Sequence, residues 1–172
     1  MKNRSIETHL GVACVVGMLS TAWAATTDVK ADASWTEETI HDPVHRGGKI
    51  VNAQTTTQVG ESDLDVWLRC WTATGVRDTR FVVRNHLPQL SGDIAWWFDR
   101  DKARSGKWRL SASGDAVVLP DAMQDEFTRL MRSRRSLHVR LTDSDGEELE
   151  FAVSLSGSNR ALMDIASCAR GP

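Results

Sequence analysis

Tyrosine is absent from this 172-residue chain, proline occurs four times, and cysteine three times. Charge of one sign is missing too: 21 lysines and arginines stand against 23 aspartates and glutamates, a net charge of -2. Nucleic-acid binding needs a concentrated positive field, so no nucleic-acid partner is expected. The twelve glycines follow no repeat, which excludes a collagen-like rod, and 41% apolar residues are too many for a wholly disordered chain. Long apolar runs are lacking as well. The stretch from Leu10 to Leu19 falls short of the ~20 residues that a bilayer-spanning helix requires.

That stretch has a different use. It follows Lys2 and Arg4 and precedes Thr21-Ala22-Trp23-Ala24-Ala25, with small residues three and one positions before Ala25. A basic start, a short apolar centre and small residues at the cut predict a secretory signal peptide over residues 1–24. Its removal takes away Lys2, Arg4, Glu7, Cys14 and Trp23 and leaves 148 residues with a net charge of -3. No membrane span is expected after cleavage. Two cysteines remain, Cys70 and Cys168, and an exported chain with an even count is most simply read as carrying one disulfide. The bridge would close a loop of 98 positions, which in the chain-entropy model contributes about 4–5 kcal/mol.

Residues 25–34 are small and polar without periodicity and are read as a flexible leader. One α+β domain is expected over residues 35–170. Strands are predicted at Lys49 to Gln58, and at Val66 to Trp71 with Val66, Leu68 and Cys70 on one face and Trp67, Arg69 and Trp71 on the other. Others are predicted at Phe81 to Leu87 and Ile94 to Arg100, with Ser91-Gly92-Asp93 as a break between them. A hairpin is expected from Lys107–Ser111 and Ala116–Leu119 around Ser113-Gly114-Asp115. Asp121 with Gln124 has the form of a helix cap. Met123, Phe127, Leu130 and Met131 then recur at helical spacing. Ser136–Thr142 and Glu148–Ser154 alternate around Asp145-Gly146, a tight-turn signal, and a last helix is expected from Ser158 to Ala169. The sum is an antiparallel β-sheet or sandwich with two helices, the second pinned to an early strand by the disulfide.

Catalytic signatures are scarce. His41 and His45 have the four-residue spacing of helical metal ligands, but Pro43 between them and Gly47-Gly48 after them favour a polar loop. The Asp143–Glu148 acidic turn has Leu141 where a calcium loop needs its first ligand, so its charges are read as solvated. No glycine-rich phosphate loop, CxxC or HExxH motif is present, and no metal or cofactor is expected. Asp99 and Asp101 could form a carboxylate pair in a cell-wall hydrolase, but Arg100, Lys102 and Arg104 beside them suit a charged strand end. Binding is the better expectation. Trp67, Trp71, Trp96 and Trp97 cannot all point inward, and exposed tryptophan is a common contact anchor. The basic cluster of Arg129, Arg132, Arg134 and Arg135 is read first as a solvated helix end and loop, and otherwise as a contact for an acidic partner or an anionic surface.

The order of Trp35, Val66-Trp67-Leu68-Arg69-Cys70, Trp108-Arg109-Leu110-Ser111, Leu137-His138-Val139-Arg140 and Phe151-Ala152-Val153-Ser154 before Cys168 resembles the VasI family of exported proteins associated with type VI secretion. That resemblance implies a periplasmic, disulfide-bonded, mainly β domain linked to secretion machinery, with no catalytic residues to transfer. Together with the signal peptide, the surplus tryptophan and the lack of an assembled active site, it makes an exported, non-enzymatic accessory or binding protein, with another envelope protein as partner, the leading expectation. The other readings are a periplasmic inhibitor or immunity protein against an envelope enzyme or toxin, and the small cell-wall hydrolase.

Overall fold

A computed structural model describes residues 34–86 and 89–168. The expected signal peptide, and the leader up to residue 33, lie outside the described residues. Among the described residues ten strands follow in order: β1 (Thr36–His41), β2 (Lys49–Val59), β3 (Ser62–Trp71), β4 (Arg77–Arg84), β5 (Leu90–Phe98), β6 (Arg104–Lys107), β7 (Arg109–Leu110), β8 (Ala116–Val118), β9 (Ser136–Asp143) and β10 (Glu148–Ser154). Helix α1 (Gln124–Ser133) separates β8 from β9, and α2 (Ser158–Ala161) and α3 (Met163–Cys168) end the described chain. The strands form two antiparallel sheets, ordered β1-β2-β3-β4-β8-β7 and β10-β9-β5-β6.

Alternation in the sequence dictates this layering. Leu64, Val66, Leu68 and Cys70 of β3 and Leu137, Val139 and Leu141 of β9 all point inward and are buried. A strand that hides every second residue must cover that face, and two such faces cover each other. Side chains join the sheets along one edge, where Thr57 Oγ1 donates to the Ala152 carbonyl at 3.0 Å and Trp35 Nε1 to the Ser154 carbonyl at 3.1 Å. At the other edge the chain itself crosses over. β6 pairs with β5 in one sheet and β7 with β8 in the other, and the crossing residue Trp108 is buried. Its N–H reaches the Gly92 carbonyl at 2.9 Å.

This crossing corrects two expectations. The predicted strand Lys107–Ser111 is divided between sheets, because Trp108 serves the core better as an inward corner than as one rung of a hairpin. Ser91-Gly92-Asp93 is not a break but an irregularity inside β5, where the register with β9 shifts between Leu90 and Ile94. Gly92 has φ +86°, and a Cβ there would stand 2.8 Å from the Trp108 carbonyl oxygen. Only glycine permits that close approach. Elsewhere β3 begins at Ser62, earlier than expected, and β4 ends at Arg84, before Asn85 turns the chain at φ 57°.

Helix α1 plugs the sandwich. Phe127 meets Phe81 of the larger sheet edge-on at 5.9 Å and Phe98 of the smaller sheet at 5.2 Å. Burying Phe127 and Met131 contributes about 1.5–3 kcal/mol each. The expected capping arrangement is absent: a single 3-10 turn spans Asp121–Met123, and the helix carries no side-chain cap. Gln124 is buried instead. It accepts from Thr79 Oγ1 at 2.7 Å and donates to the Leu119 carbonyl at 3.1 Å, which fixes the helix start to the sheet. The last helix breaks at Leu162 into α2 and α3, and Ser158, at the start of α2, donates its hydroxyl to the Met131 carbonyl.

The Cys70–Cys168 disulfide is present, with the two Cα atoms 6.2 Å apart. It joins the inner face of β3 to α3, across 98 positions. No helix among the described residues is long and apolar enough to cross a membrane.

Candidate functional site

The exposed edges of α1 border two clefts. The first, of about 490 Å³, lies toward the smaller sheet and is lined by Trp96, Trp97, Lys102, Arg104, Arg129 and Arg134, among others. The second, of about 540 Å³, lies toward β4 and the C-terminal helices and includes Arg77, Asp125, Thr128, Arg129, Arg132 and Asn159. Arg129 borders both. Helical spacing explains the second grouping, since residues 125, 129 and 132 follow one edge of α1.

The four singled-out tryptophans divide. Trp67 and Trp71 lie half-buried on the outer face of the larger sheet, with the Arg69 guanidinium 4.5 Å above the Trp67 ring. Trp96 points inward, 6% exposed, with its ring centroid 4.9 Å from that of Trp108. Trp97 points outward. It stacks on His138 of β9, opposite it in register, with Arg140 5.8 Å from the ring. An aromatic ring between an imidazole and a guanidinium is held flat on the sheet, where another side chain can pack on it.

The arginines divide as well. Arg134 reaches Asp101 at 3.1 Å and Asp99 at 3.5 Å beside Trp97, whereas Arg132 faces the other cleft, its Nε donating to Asn159 Oδ1 at 3.1 Å. Arg135 is exposed and donates its backbone N–H to Asp99. The structure therefore brings Trp96, Trp97 and Arg134 together. It leaves Arg132 across the helix and Trp67 and Trp71 on another surface.

Asp99 has a structural task. Its Oδ1 accepts the N–H groups of Arg135 and Ser136, both at 2.9 Å, at the point where β5 ends with φ 50°. Burial pushes the Asp99 carboxyl up, but those two N–H bonds and Arg134 together hold it below the usual carboxylate range. A carboxylate so engaged is poorly placed to exchange protons with a substrate. Asp143, expected to be solvated, is buried. Its Oδ1 accepts from the N–H groups of Asp145 and Glu147 and its Oδ2 lies 3.2 Å from His86 Nε2. Burial raises its pKa, and the Glu147 and Asp145 N–H bonds with His86 outweigh that and lower it. The carboxylate builds the turn from within.

His45 Nδ1 lies 2.8 Å from Asp42, whose other oxygen accepts the N–H of Val44 at 2.8 Å, so this segment is a self-bonded polar loop. Among the described residues no group of three or more histidine, cysteine, aspartate or glutamate side chains could hold a metal ion. Arg77, Thr128 and Asn159 were not legible as site residues. Arg77 lies 48 positions before Asp125 and meets it only because β4 packs beside α1.

No protein-family model matches this chain, and no curated protein matches it. Among solved structures it is similar to the invasion associated protein B of Bartonella henselae, at 15% identity and a TM-score of 0.49, over 80% of this chain and 95% of that one.

Proposed function

We propose that the chain is an exported, non-enzymatic binding protein of the periplasm that acts through protein contacts, as an accessory of secretion machinery like the VasI family it resembles in sequence. The observation that carries the binding reading is the outward Trp97, stacked on His138 at the mouth of a cleft that also holds Lys102, Arg104 and Arg134. Tryptophan and arginine are the side chains that most often dominate contact energies, and a held ring loses little freedom when a partner covers it. Within the cleft Arg104 pairs with Glu126 and Arg134 with Asp101, and the remaining cations Lys102 and Arg129 favour an acidic partner surface. The engagement of Asp99 with two backbone N–H groups and Arg134 weighs against the hydrolase. The Cys70–Cys168 bond suits an oxidising compartment.

The reading is tested by photocross-linking in cells, with a photoreactive residue at Lys102 beside the stack and a control at Glu61 in the β2–β3 turn. A discrete envelope-protein adduct from position 102 and none from 61, on protein shortened to begin at Ala25, is expected. Retention of residues 1–24, or no adduct from position 102, would overturn it.

A further inference from the structure

The second cleft has a chemistry that protein contact does not require. Three guanidiniums, of Arg77, Arg129 and Arg132, border it against one carboxylate, Asp125. Arg77 is largely buried, its side chain 15% exposed, and is bonded to Asp125, which is itself 85% exposed. Arg129 has no carboxylate partner among the described residues, and Arg132 binds the neutral amide of Asn159 through Nε alone. Thr128 also lines the cleft; it is buried and its hydroxyl has no hydrogen-bond partner. A buried hydroxyl left unpaired is costly, so one beside surplus positive charge calls for an acceptor.

We propose that this cleft is an oxyanion site for a dianion of the phosphate class, with Asp125 as the internal counter-ion that the ligand displaces. Charge and donor geometry select the ligand. Two positive charges remain after Asp125 is counted, and a phosphate group carries about -1.5 to -2 at neutral pH. Guanidinium forks meet its oxygens in pairs, and the Thr128 hydroxyl supplies a donor from the helix side. Asp125 is free to swing away, because it is held only at its Arg77 end and is otherwise in solvent. The group could arrive as free phosphate or as a phosphate ester, and both present the same oxygens to the cleft. The site does not depend on the cellular location or on the contact surface at Trp97.

Titration calorimetry on the purified protein, with its Cys70–Cys168 bond intact, tests this with inorganic phosphate and with glycerol 3-phosphate in separate arms. Saturable binding of either is expected, and the tighter of the two identifies the source. Asp125→Asn should tighten binding by removing the competitor. Arg132→Ala should weaken it about tenfold, as loss of a charge-assisted bond implies. Thr128→Val is the decisive variant: affinity should fall about three- to tenfold while thermal stability holds or rises, since the change deletes an unpaired buried hydroxyl. Overturning results are no saturable binding of either probe by wild type and Asp125→Asn, or binding that Arg132→Ala and Thr128→Val leave unchanged.

Discussion

Trp97 lies flat on His138, the ring planes 4° apart and the centroids separated by 5.0 Å, while its chain neighbour Trp96 turns the opposite way into the core. Adjacent residues of a strand must face opposite sides, so one tryptophan supports the fold and the other is offered to solvent. Their substitutions separate accordingly. Trp96→Ala opens a cavity beside Trp108 and should cost about 3–5 kcal/mol in urea unfolding. Trp97→Ala loses one cross-strand pair and should cost about 0.2–1 kcal/mol. Equal costs would contradict the orientation.

The disulfide staples β3 to α3. A double Cys70→Ser, Cys168→Ser variant should lose up to about 4–5 kcal/mol, because the unfolded chain regains the freedom of a 98-position loop. Denatured but unreduced protein should show no alkylatable thiol from these two residues, and two after reduction. Two thiols without reduction would refute the bond.

Asp42, Asp99, Asp115 and Asp143 all titrate below the ordinary carboxylate value of 3.8 in the folded protein. A depressed folded pKa stabilises fully above the unfolded value and loses that contribution as pH falls through the folded one. The melting temperature should therefore change little from about pH 5 to neutrality with respect to these groups and drop below about pH 4. Asp99→Asn should reduce the size of that acid drop. A midpoint of loss above pH 5 would point to other groups.

Gln124 joins α1 to the sheet through Thr79 and the Leu119 carbonyl. Gln124→Ala strands both partners in a buried place and should cost about 1–3 kcal/mol by chemical denaturation. A neutral effect would contradict the anchoring role of these two buried bonds.

That contrast indicates what a single sequence discloses. The alternation in β3, β9 and β10 and the apolar spacing of Phe127, Leu130 and Met131 are local, and they predicted the sandwich, α1 and the inward Cys70. The Gln124 and Asp143 outcomes are tertiary. A glutamine near a helix start reads as a cap until Thr79 is known to lie within reach, and an aspartate before Asp-Gly reads as solvated until His86 is brought against it. Gly92 read as punctuation because its requirement comes from Trp108, 16 positions on. Of the first cleft, Trp96, Trp97 and Arg134 were recognisable by type. The second depends on Arg77, which nothing near it in the chain marks out.

The Trp97 face is proposed as the contact surface of an exported binding protein. The most direct measurement of that role is the yield of the envelope-protein adduct from a photoreactive residue at position 102, compared with and without Trp97→Ala. Loss of the adduct at unchanged protein level and with a melting temperature close to that of wild type is the predicted result. An adduct of undiminished yield without Trp97 would contradict a contact role for this face.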